Sequence, residues 1–230
     1  MVFGGIQKLT LLDYPEKTAC TVFTVGCNFR CLFCQNSSLI DPSGSIERID
    51  ESDILSYLET RRGLLDGVCI SGGEPLMQDD LDVLIDKIRE MGFLVKLDTN
   101  GSYPDKLEKL LFTGRLDYVA MDIKNSQEKY SSTIGIHGYD ISPIKKSINL
   151  LQTSTIPYEF RTTVVSGLHT GEDLLSIAQW ISGARKYYLQ VFTDSDGVVQ
   201  SGLLSYSDTE MRQFLSDIKE IQPNTELRGI

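Results

Sequence analysis

The chain has 230 residues, enough for a core that holds without disulfides, and residues 1–230 are expected to form a single domain. Hydrophobic residues make up 41 % and charged residues 23 %, and no apolar run approaches the ~20 residues that span a bilayer, so no membrane role is expected. A net charge of −10 argues against a nucleic-acid partner, and Met1–Gly5 lacks the basic-then-apolar pattern of a secretory leader, so the expected location is cytoplasmic.

Thr18 to Val25 reads as a buried strand. Asp50 is placed to cap a helix running to about Thr60. Gly67 to Ile70 is a second strand, followed by a turn and a helix from Asp80 to Met91. Leu94 to Asp98 and Tyr118 to Asp122 are the third and fourth strands. Ser126 to Gly138 is the least regular stretch, and Tyr158 to Val165 is the fifth strand. Thr170 with Asp173 forms a capping pair for a helix through Ile181, and Tyr187 to Phe192 is the sixth strand. Ser207 with Glu210 makes a capping box for a helix to Ile221, and a short strand follows at Thr225 to Arg228. Repeated strand-then-helix order implies a parallel sheet with right-handed crossovers, curled into a full or partial barrel or left open and doubly wound. Either form puts its chemistry at the carboxyl ends of the strands.

Five cysteines are present, and three crowd into eight residues as Cys27, Cys31 and Cys34, just after the first strand. Disulfides are rare in the cytosol, so such crowding reads as metal binding or redox chemistry. Three thiolates on one loop leave one iron of a [4Fe–4S] cluster without a protein ligand, as a catalytic cluster requires. The alternative is a closed zinc site, whose fourth ligand would be Cys20, Cys69, His137 or His169. Cys20 and Cys69 lie inside apolar β runs and read as core packing.

The triplet, with Phe33 just before its last cysteine, resembles the radical S-adenosylmethionine (SAM) superfamily. The likeness continues through Ser71-Gly72-Gly73-Glu74-Pro75, Asp98-Thr99-Asn100-Gly101 and Met121-Asp122-Ile123-Lys124, each closing a strand. It implies an α/β fold of the partial (β/α)6-type TIM barrel, with mostly parallel strands. Leu12-Asp13-Tyr14-Pro15, the Thr24–Cys31 segment, Asp117–Lys124 and Leu227-Arg228-Gly229 are similar to the activating enzymes of glycyl-radical proteins, above all those of anaerobic ribonucleoside-triphosphate reductase.

The resemblance implies a [4Fe–4S] cluster on Cys27, Cys31 and Cys34, with SAM bound beside it. Glu74 offers a carboxylate to the SAM ammonium, and Gly72 and Gly73 let backbone carbonyls approach it. Asp98 is a second acceptor, and with Thr99 and Asp122 it falls near the monovalent-cation site of related activases. Asp122 suits the ribose hydroxyls, Lys124 the SAM carboxylate and Phe33 the adenine. Arg161 is expected to reach SAM or the substrate peptide, and Gln190 to stand in for a ribose-contacting histidine. The implied partner is a glycyl-radical enzyme, with flavodoxin or ferredoxin as reductant. The competing function is a small-molecule radical SAM enzyme like 7-carboxy-7-deazaguanine synthase, which needs an internal substrate pocket; the short chain favours a protein substrate.

Overall fold

The computed structural model describes residues 1–44, 47–195 and 197–229. β1 (Val2–Thr10) and β2 (Ala19–Thr24) run antiparallel. The two-residue β3 (Ile49–Asp50) pairs with β1 and leads directly into α1 (Glu51–Glu59). Strands and helices then alternate through β4 (Gly67–Gly72), α2 (Leu81–Glu90), β5 (Leu94–Thr99) and α3 (Pro104–Phe112). β6 (Tyr118–Asp122) is followed by the single-turn α4 (Tyr130–Thr133) and by α5 (Ser142–Thr153). The chain continues with β7 (Tyr158–Val164), α6 (Gly171–Trp180), β8 (Tyr187–Val191), α7 (Asp208–Lys219) and β9 (Thr225–Arg228).

The strands form one sheet in the order β3-β1-β2-β4-β5-β6-β7-β8-β9. Seven of them, β2 and β4 to β9, are parallel and joined by helical crossovers, as the alternating pattern requires. β3 and β9 are the two edges, so the curled sheet is an unclosed barrel. The antiparallel β1 and β3 were not expected from the sequence, nor were α3 and α5. Asp50 does occupy the N-cap position of α1, but its side chain makes no capping bond. The capping boxes at Thr170/Asp173 and Ser207/Glu210 are both formed, each with its reciprocal pair of hydrogen bonds.

Alternation along each strand divides the sheet into two unlike faces. The helix side carries Val22, Ile70, Leu97, Val119, Phe160 and Leu189, all fully buried. Helices cover it with stripes at helical spacing, such as Leu81, Leu84, Ile85 and Ile88 of α2. The other face carries polar residues aligned by register. Cys69 lies beside Lys96 and Lys96 beside Tyr118, while Asp122 lies beside Arg161 and Arg161 beside Tyr188. Parallel strands are usually apolar on both sides, so a polar inner face marks where the site is built.

Candidate active site

Two cavities of similar size occupy the two ends of the curled sheet. The one at the amino ends, about 350 Å³, is bordered by strand-start residues such as Leu94, Tyr118 and Tyr158. The one at the carboxyl ends, about 340 Å³, is lined by Cys27, Cys31 and Cys34 together with Gly72, Gly73 and Phe33. Asp98, Asp122, Lys124, Arg161 and Gln190 complete its polar wall. All the residues expected at a site reach this second cavity except Glu74.

The cysteines sit on a loop fixed by backbone contacts from four directions. Gly26 begins it with φ +103°, and its N–H donates to Leu39 O at 2.7 Å. The Cys27 N–H donates to Ile40 O, and Arg30 N–H to Ile134 O at 2.8 Å. The Glu74 N–H donates to Gly26 O at 2.8 Å. On the far side, Val199 N–H donates to Cys34 O and Gln200 N–H to Leu32 O. The Phe29 N–H reaches Cys27 Sγ at 3.4 Å, the kind of donor that favours a thiolate.

Burial raises the pKa of Cys27 and pushes that of Cys31 up to about 12, so metal binding must supply the drive to deprotonate them. Among the described residues no three His, Cys, Asp or Glu are placed to close on a single ion. Cys27, Cys31 and Cys34 do line one cavity, as the ligands of a single cluster must. The fourth ligands that zinc would need lie elsewhere. Cys20 and Cys69 are fully buried within strands. His137 is exposed, and both ring nitrogens of His169 are engaged, with Val165 N–H and with Lys124 O.

The glycine pair is required by space. A Cβ on Gly72 would lie 2.4 Å from Thr24 N, and one on Gly73 would lie 2.1 Å from Gly26 O. The loop after β4 is therefore pressed backbone to backbone against the start of the cysteine loop. Glu74 follows, and its side chain lies behind the residues that line the cavity. Its carboxylate is fully buried and accepts from Leu76 N–H at 3.0 Å, Thr99 Oγ1 at 2.8 Å and Asn100 N–H at 2.7 Å. It ties the loop after β4 to the loop after β5 and leaves the cavity wall to the glycines. Burial raises its pKa to about 7, with the Asn100, Thr99 and Leu76 donors pulling in the opposite direction.

The polar wall is an unbroken chain of ion pairs. Lys96 Nζ contacts Asp98 Oδ1, and Asp98 Oδ2 accepts from Arg161 Nη1 at 3.2 Å and Ser71 Oγ at 3.2 Å. Arg161 Nε donates to Asp122 Oδ1 at 2.8 Å, and Lys124 Nζ to Asp122 Oδ2 at 2.9 Å. Burial opposes ionisation of both carboxylates, but Arg161 with Lys96 outweighs it at Asp98, and Arg161 with Lys124 at Asp122. Both carboxylates end below their ordinary value. Lys124 Nζ also lies 5.9 Å from the centre of the buried Phe33 ring. Sequence reasoning missed Lys96, Asn100, Asp13 and Thr163, the last three of which line the cavity. The signal for Lys96 was its place two residues before Asp98, on the same face of one strand.

A family profile described as the radical SAM superfamily matches residues 21–181. A protein of Methanocaldococcus jannaschii named as a glycyl-radical enzyme activating enzyme is 31 % identical, over 99 % of this chain and 95 % of its own length. The pyruvate formate-lyase-activating enzyme of Staphylococcus epidermidis is 28 % identical over 77 % of this chain and 74 % of the enzyme. In three dimensions, Streptococcus suis SuiB bound to its precursor peptide SuiA superposes with a TM-score of 0.73 at 13 % identity, over 91 % of this chain and 48 % of SuiB. That likeness is one of fold. The profile match takes in the three cavity cysteines, the glycine pair and the whole chain of charges from Lys96 to Arg161, and on that ground the chain belongs to the radical SAM superfamily, whose members work with a [4Fe–4S] cluster and SAM.

Proposed function

We propose that this chain is an activating enzyme that places a glycyl radical on a partner enzyme, with anaerobic ribonucleoside-triphosphate reductase as that partner. The observation that carries the reading is the end-to-end likeness to the M. jannaschii relative. Held by Cys27, Cys31 and Cys34, a reduced cluster would supply the electron that splits the S–C5′ bond of SAM into methionine and a 5′-deoxyadenosyl radical, the species that would take a hydrogen atom from the partner's glycine. Flavodoxin or ferredoxin is the proposed reductant, and the cytoplasm the proposed compartment. Among the described residues no helix is long and apolar enough to cross a membrane.

The residues of the cavity divide the work of holding SAM. Cys27, Cys31 and Cys34 would hold the cluster, three thiolates leaving it open to SAM. The carbonyls of Gly72 and Gly73 accept from the ammonium, since both carboxylates of the wall already have cationic partners. Lys124 meets the SAM carboxylate and Asp122 the ribose. Phe33 packs against the adenine, Gln190 takes the place of a ribose-contacting histidine, and Arg161 faces SAM or the substrate peptide. A depth of buried walls keeps water from the reactive carbon.

The test mixes reduced, iron-loaded protein with SAM and an anaerobic reductase in the absence of oxygen. A glycyl doublet by EPR, with 5′-deoxyadenosine formed in step, is the expected result. Turnover of a purine-like small molecule with no partner present would overturn the proposal in favour of a deazaguanine-synthase-like activity.

A further inference from the structure

A lysine lies under the cavity floor and takes no part in any of the contacts assigned to SAM. Lys96 stands in the middle of β5, on the inner face, and is fully buried. Its ammonium contacts Asp98 Oδ1, lies 3.7 Å from Cys69 Sγ and sits 5.9 Å from the centre of the Tyr118 ring. A lysine so enclosed gives up its proton unless an anion holds it. Asp98 is that anion, and the dependence runs both ways.

The inner wall holds two carboxylates, Asp98 and Asp122, bridged by a single guanidinium. Two half-buried carboxylates facing one cavity repel each other, and without counter-charge from the protein they favour uptake of a proton or a cation. This protein supplies three cations to two anions, in the order Lys96, Asp98, Arg161, Asp122, Lys124. Arg161 and Lys124 line the cavity and are open to a ligand, whereas Lys96 lies outside the cavity lining. Lys96 is thus the one cation of the chain whose partner set does not change when a ligand enters.

We propose that Lys96 is a positioning residue of the SAM site: it is the fixed counter-ion of Asp98, keeps Asp98 Oδ2 turned to Arg161 and Ser71, and makes the charge pattern facing SAM independent of any dissolved metal cation. The proposal rests on the placement of SAM in this cavity. Lys96 touches neither cofactor nor reacting atoms, so its loss acts through Asp98 and Arg161. Without it, Asp98 has one oxygen free beneath the floor and a site there for a small monovalent cation.

The experiment is calorimetric titration of SAM into anaerobically reconstituted protein, in buffer whose only cation is tetramethylammonium and in the same buffer with added K⁺ or Na⁺. The wild-type affinity should agree within about twofold between the two. Lys96→Met should bind about tenfold or more weakly in tetramethylammonium and recover when K⁺ or Na⁺ is added. Thermal melts of Lys96→Met and of Lys96→Met/Asp98→Asn provide the folding control. Removing both charges together should melt closer to wild type than removing the lysine alone. A wild-type protein that loses tenfold or more in affinity without K⁺ or Na⁺ overturns the proposal, whatever the variants do. A Lys96→Met protein with unchanged affinity in both buffers does the same. Absence of SAM binding by the wild type in either buffer removes the SAM site itself, a failure distinct from the other two.

Discussion

The two faces of the sheet are made by the same strands and obey opposite rules. On the helix side, Val22, Ile70, Leu97 and Phe160 are apolar and fully buried, and their work is to keep the fold. One residue along from Leu97 and Phe160, on the opposite face, Lys96, Asp98 and Arg161 join Asp122 in a largely buried charge chain. Burying charges is costly even when they are paired, and an apolar wall of the same shape is often as stable or more so. The inner face is therefore not there for stability. It shows that a functional wall can be recognised by the cost it imposes, before any ligand is known.

The sharpest way to test the division is at the carboxyl end. Replacing Cys27, Cys31 or Cys34 by Ala should reduce iron from about four per chain to none. Cys20→Ala and Cys69→Ala should retain the iron, and iron analysis after anaerobic reconstitution decides both.

Next in size is Arg161→Met, which leaves Asp98 and Asp122 without their shared cation. A buried ion network broken at one member costs about 3–5 kcal/mol, so denaturant unfolding should show a loss of that order together with weaker SAM binding. If stability is unchanged, the charges are better solvated than their burial indicates.

Glu74 gives a pH-dependent effect of similar or smaller size. Its carboxyl is raised to about 7 in the folded protein, so the folded state binds this proton more tightly than the unfolded chain does. Its contribution is full below the ordinary glutamate range and is lost as the pH rises to 7, by about 3 kcal/mol in all. Glu74→Gln should flatten that part of the stability profile between pH 5 and 7, as read by denaturant midpoints. A profile identical to wild type would mean the carboxyl ionises in its usual range.

Ile70→Val on the helix side is the smallest change and the complement of the others. It should cost about 0.5–1.5 kcal/mol and leave SAM affinity alone, because it trims a core methyl group without touching the wall. An effect on affinity larger than on stability would break the separation of the faces.

Much of this was legible in the residues. The six strands from Thr18–Val25 to Tyr187–Phe192 stand within two or so positions of the observed ones, because buried β-branched runs between turn residues leave little choice. The two capping boxes were equally local. β1 was not legible: Val2–Thr10 carries Gly4-Gly5 in its interior and is mostly not buried, so no clean alternation shows. β3 is two residues long and forms only because β1 is beside it. α3 and α5 each have proline in the first turn, a start signal that went unused.

The site divides the same way. Cysteine spacing is local chemistry and reads directly. For Glu74 the motif reveals residue type and not the direction of the carboxylate, which in this structure turns to Thr99 and Asn100. Lys96 was missed because a lysine in an apolar run acquires meaning only through register, when Cys69 and Tyr118 flank it across the sheet.

The contact of Gly73 with Gly26 limits how this protein can vary. With 2.1 Å between a hypothetical Cβ and a carbonyl oxygen, even alanine at position 73 must wedge the loop after β4 away from the cysteine loop. Neither loop can be redesigned alone, since the position of the three cysteines is written partly in a neighbour that has no side chain. Engineers who wish to retune the pocket have freedom at Gln190 or Thr163, whereas the glycine pair and the cysteine loop must be exchanged as one cassette. The same holds for genetic drift: a change that loosens one loop is tolerated only if the other loop moves with it.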